Sequence, residues 1–64
     1  MTRIDDTVRC RAGNIDRNLG RGEVGRVTGF ARLSAYHPRE VFVSSSPPAA
    51  WNGWFWELDV EPAD

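Results

Sequence analysis

Residues 7–12 alternate without a break: Val8, Cys10 and Ala12 fall on one face of an extended chain and Thr7, Arg9 and Arg11 on the other. A period of two with small and β-branched apolar residues on one side predicts a half-buried first strand. Residues 13–22 collect glycine, asparagine and aspartate, which tolerate positive φ or bond their own backbone, and predict a long first loop with Ile15 or Leu19 tucked back as its lid. The apolar pattern resumes over residues 23–30 as a second strand. Val24 and Val27 fall there on opposite parities, so a bulge at Gly25 is expected to bring both to one core. Glycines at 22, 25 and 29 suit a sharply curved strand in a very small barrel.

Residues 31–39 have some helical spacing, but Pro38 disfavours a helical His37, and the stretch reads as a loop with room for one helical turn. A third strand is predicted over 39–45, with Val41 and Val43 inward and Phe42 outward, or the reverse. The small residues of 44–50 include Pro47 and Pro48, which cannot serve a central ladder, and read as a linker. Asn52-Gly53 is a turn signal ahead of a fourth strand over 54–57. A single 3₁₀ turn at 58–59 and a short closing strand at 60–62, ended by Pro62, complete the pattern. The reading is all-β, five strands in one domain over residues 1–64, with 1–5 and 63–64 flexible.

Composition changes the picture in three ways. A chain of 64 residues with one cysteine has no internal disulfide, so packing alone must hold it. Three Trp, three Phe and one Tyr are then mostly committed to the core, which leaves roughly one or two aromatics for a ligand face. No apolar run approaches the roughly 18 residues of a membrane span, and residues 1–6 lack the apolar segment of a signal peptide; a cytoplasmic protein that makes no use of a membrane is expected. All eight basic residues are arginine, which suggests GC-rich coding in a bacterium or its phage. Residues 1–32 hold seven of these against four acids, and residues 33–64 hold Arg39 against five, so the formal net charge of −1 hides two oppositely charged halves.

Catalysis needs a nucleophile with a base, a carboxylate pair in a pocket or a metal set. One His and one Cys supply none of these, and no enzyme activity, cofactor or metal is expected. Cys10 on the inward face reads as a core thiol, His37 before a proline as a surface residue, and Gly13, Gly20 and Gly22 as turn glycines in place of a phosphate cradle. Asp5-Asp6 and Asp59 with Glu61 read as solvated terminal charges.

The stretches Asp6-Thr7-Val8-Arg9-Cys10, Gly22-Glu23-Val24-Gly25-Arg26-Val27 and Trp56-Glu57-Leu58-Asp59-Val60-Glu61-Pro62, with the long first loop between them, resemble the Src-homology-3-like (SH3-like) barrels. KOW-type and related bacterial barrels are the nearest variety. The resemblance implies a five-stranded SH3-like barrel with a short 3₁₀ turn before the last strand, acting by contact with another macromolecule. The first loop has Asp16 and Arg17 but no aromatic, unlike signalling SH3 domains, and the pI near 5.7 is lower than that of basic RNA-binding KOW barrels.

Trp54 and Trp56 share one strand face and Phe55 takes the other, so one of those faces points outward. A protein partner is expected to dock on Phe42, Trp51 and Phe55 together with Arg9, Arg11 and Arg26, since Trp and Arg are over-represented at binding hot spots. An alternative is nucleic-acid binding through Arg9, Arg11, Arg17, Arg21 and Arg26 with an aromatic for stacking. A third is a phage protein that inhibits a host enzyme by docking on it. Neither the partner nor the oligomeric state is legible in the sequence.

Overall fold

In the computed structural model, which describes residues 2–47 and 49–63, the alternation of Thr7–Cys10 becomes strand β1, with Val8 and Cys10 buried and Thr7 and Arg9 exposed. The other strands are β2 (Val24–Ala31), β3 (Glu40–Ser45), β4 (Asn52–Trp56) and β5 (Val60–Pro62), and one 3₁₀ turn, Glu57–Asp59, joins β4 to β5. They form one antiparallel sheet in the order β4-β3-β2-β1-β5. β4 and β5 are its edges, and among the described residues no strand ladder closes it into the expected barrel. The 3₁₀ turn leads the chain straight from one edge to the other, and the free edge of β4 is met by the first loop: Ile15 N–H donates to Trp54 O at 2.8 Å.

The interior is narrow. It holds Val8, Cys10, Val27, Val41, Val43 and Val60, with Phe55 fully buried among them and Trp51 at one end, edge-on to Phe55 at 5.7 Å between ring centroids. β-Branched residues fill such a pleated, thin core with little loss of rotamer freedom.

Several local expectations are corrected. The bulge lies at Thr28, between Val27 and Gly29, and not at Gly25. It brings Val27 and Phe30, which have opposite parities, onto the inner side opposite Val43 and Val41, leaving Val24 half-buried at the strand's start. Gly25 serves a different need: a Cβ there would lie 2.6 Å from Ser44 O, so the residue permits a close approach to β3. Ile15 and Leu19 do not form the lid, being largely exposed; Asn14 and Gly20 are buried instead, and Gly20 lies flat against the Trp51 indole. Asn52-Gly53 is not a turn but the start of β4. The 31–39 stretch contains no helical turn, only a tight Ser34–His37 reversal with His37 N–H bonded to Ser34 O at 3.1 Å.

The terminal residues expected to be flexible carry anchoring bonds. Asp5 N–H donates to Val27 O at 2.8 Å and Ala63 N–H to Thr7 O at 3.2 Å; Met1 and Asp64 lie outside the described residues. Arg39, which the pattern placed at the head of β3, is a tie between elements. Its guanidinium lies 4.1 Å over the Phe30 ring, pairs with Glu57 at 2.8 Å and donates to Thr2 O at 3.1 Å.

Burial, with the Glu23 charge adding to it, pushes the Cys10 thiol from 9.0 up to about 11. In the unfolded chain the thiol ionises near 9.0 while the folded chain still holds its proton, so stability falls as pH rises through the window from 9.0 to about 11. The loss is expected to reach about 2–3 kcal/mol. Urea unfolding midpoints on either side of that window measure it. Cys10→Ala should flatten the slope, and a slope that persists unchanged in that variant refutes the assignment.

Candidate functional site

Because Val41 and Val43 of β3 face the core, Glu40, Phe42 and Ser44 face outward. The register extends that face across the sheet. Phe42 sits opposite Trp54 on β4 and Gly29 on β2, Ser44 sits opposite Arg26, and Glu40 opposite Trp56. Arg26 in turn faces Thr7 of β1.

Phe42 and Trp54 pack edge-to-face, with ring centroids 5.1 Å apart and an interplanar angle of 72°. Both are half-buried. Gly29 adds no side chain beside them, which leaves one flank of Phe42 open, and Thr28 Oγ1 holds Phe42 O at 3.4 Å. The result is a fixed aromatic pair on the outside of a sheet whose core is already filled. Such geometry offers a partner a rigid apolar surface with little rotamer freedom left to lose.

Two residues along β3 from Phe42, at Ser44, lies a groove of about 370 Å³ lined by Thr7, Arg26, Ser44, Ser45, Ser46 and Pro47. Among the described lining residues the charged one is Arg26, whose guanidinium is exposed and lies 3.9 Å from the Asp5 carboxylate. Ser45 is occupied structurally, donating to Ala49 O at 2.9 Å and accepting from Trp51 N–H at 3.0 Å.

Of the side chains expected to anchor a partner, Phe42 and Arg26 lie on this face. Phe55 and Trp51 do not: Phe55 is fully buried and Trp51 is 9% exposed, so both belong to the core. The physical reason is parity combined with size. Phe55 lies opposite inward-facing Val41, and the thin interior accommodates that ring while both neighbouring indoles, Trp54 and Trp56, are left outside. The alternation of Trp-Phe-Trp contained this signal, but its sign depends on which residue of β3 each one meets.

The arginines are not assembled into one free cluster. Arg9 and Arg26 share the outer side of β1 and β2, but Arg9 faces Glu61 across the β1–β5 ladder and donates to Gly22 O at 3.4 Å. Arg11 donates to Leu58 O and lies 3.6 Å from Glu61. Arg17 and Arg21 are exposed in the first loop. His37 sits in the β2–β3 loop, its Nδ1 2.7 Å from Ser34 Oγ, beside the fully exposed Tyr36.

Among the described residues, no group of three or more His, Cys, Asp or Glu side chains could hold a metal ion, and no helix is long and apolar enough to cross a membrane. Comparisons with known protein families, with curated proteins and with solved structures returned no match.

Proposed function

We propose that this chain is an SH3-like interaction module, without catalysis of its own, that binds a protein partner on the outer face of β3 and β4. The strand order β4-β3-β2-β1-β5, the long first loop and the 3₁₀ turn between β4 and β5 support the SH3-like reading. The observation that carries the docking reading is the Phe42–Trp54 pair, held edge-to-face and half-buried outside a core that does not need it. The dispersal of the arginines speaks against a phosphate-binding surface: Arg9 donates to Gly22 O, Arg11 to Leu58 O, and Arg17 and Arg21 lie apart in the first loop.

The test is a selection of displayed random dodecapeptides on the immobilised protein, followed by titration of a synthetic peptide from the strongest clone. Phe42→Ala and Trp54→Ala are each expected to weaken that peptide about thirtyfold, the scale of a hot-spot side chain, with the near-UV circular dichroism of the fold retained. Binding by both variants as tight as by the unsubstituted protein, or no enrichment at all, overturns the reading. A pool of short single-stranded RNA and DNA, titrated at low salt, should leave the amide spectrum unchanged. Salt-sensitive shifts at Arg9, Arg11, Arg21 and Arg26 would transfer the function to nucleic acid.

A further inference from the structure

We infer that Arg26 and the groove beside it make this face selective for a partner segment that carries a carboxylate two residues from its apolar anchor. The inference rests on the docking reading and adds the chemistry of the partner. Ser44 lies two residues along β3 from Phe42 on the same outward face, and Arg26 stands opposite Ser44. Two residues of strand span about 7 Å. An extended peptide lying along β3 has the same repeat, so an apolar side chain over Phe42 and Trp54 puts its second neighbour over Arg26 and the groove of about 370 Å³.

The groove suits a carboxylate in particular. Thr7, Ser44 and Ser46 supply hydroxyls around one exposed guanidinium, and the molecule already brings a carboxylate of its own there: Asp5 at 3.9 Å. That contact is long and both side chains are exposed, so it yields readily to a better-placed acid. On the other side of Phe42, Glu40 occupies the same face two residues earlier. The site is therefore polar along the strand, cationic beyond Ser44 and anionic at Glu40, and it disfavours a second carboxylate on the Glu40 side.

The dodecapeptide selection and one synthetic peptide test this. Enriched sequences should carry Asp or Glu two residues from a large apolar residue. Arg26→Gln is expected to weaken the synthetic peptide about fivefold while leaving its acid-to-amide version unaffected, the coupling expected of one partly exposed ion pair. Asp5→Asn should do the opposite, strengthening the acidic peptide about twofold by removing the internal competitor. Asparagine keeps the positive φ of 73° that Asp5 adopts. Adding a second acid on the far side of the anchor should weaken binding. If enriched peptides lack the acid, or Arg26→Gln binds acidic and amide peptides with unchanged affinities, the carboxylate inference fails while sensitivity to Phe42→Ala still upholds the docking reading. If no peptide is enriched, both fail.

Discussion

Replacing Phe55 with alanine is expected to leave the chain largely unfolded at room temperature, whereas the same replacement at Phe42 leaves it folded. Phe55 of β4 is fully buried, against Trp51 and opposite Val41. Truncating a buried phenylalanine costs about 3–5 kcal/mol, from lost transfer energy and the cavity left behind. A core of this size without a disulfide supplies about 3–5 kcal/mol of net stability. The two numbers meet, and the fold does not survive. Phe42 keeps one side in water, so its truncation removes part of one aromatic contact and costs about 1 kcal/mol. Urea unfolding followed by tryptophan fluorescence compares them directly. Similar losses for both variants would mean that the inner and outer faces of β3 and β4 have been assigned wrongly, and the docking surface would go with them.

The contrast between these two phenylalanines also marks what the sequence could disclose. Where a face is defined by its own alternation, as in Val8 and Cys10, the strand and its core side were legible; the alternation of Val41 and Val43 gave the strand but left open which side faced the core. The closing strand was legible too, as was the existence of the 3₁₀ turn, which begins one residue earlier than read. Glycines were harder, because one residue type answers several needs. Gly25 looked like a bulge and is a point of close approach to Ser44, while the bulge itself falls at Thr28. Gly53 looked like half of a turn, yet it lies in β4, where glycine is needed because a Cβ would lie 2.6 Å from Asn14 Nδ2. Both depend on contacts between segments far apart in sequence, which no local window contains. The candidate site was half legible for the same reason. Phe42 and Arg26 were named from the chain, but their joining with Trp54 into one face is a matter of register.

Asn14 is where that non-local packing concentrates, and Asn14→Ala is expected to cost about 2–4 kcal/mol, near the limit of what the fold can bear. The side chain is buried, with 3% of its surface exposed. Its Oδ1 accepts from Arg17 N–H at 2.8 Å and Leu19 N–H at 3.4 Å, and its Nδ2 donates to Asn52 O at 3.3 Å. Alanine leaves all of these groups without that partner. Asn52 O, one of these, and Trp54 O, which accepts from Ile15 N–H, are the points at which the first loop covers the free edge of β4. The loss should therefore be visible in two ways: a lower urea midpoint, and faster amide exchange at Ile15, Arg17 and Leu19 than at Val27 or Val43. Gly53→Ala should dislodge the same amide, since the new Cβ would lie 2.6 Å from Asn14 Nδ2 and 3.2 Å from its Cβ. With Asn14 already shortened to alanine, the closest of those clashes disappears, so Gly53→Ala should cost clearly less in that background than alone. Strict additivity of the two substitutions would mean that Gly53 is required by its backbone conformation and not by the asparagine packed on it.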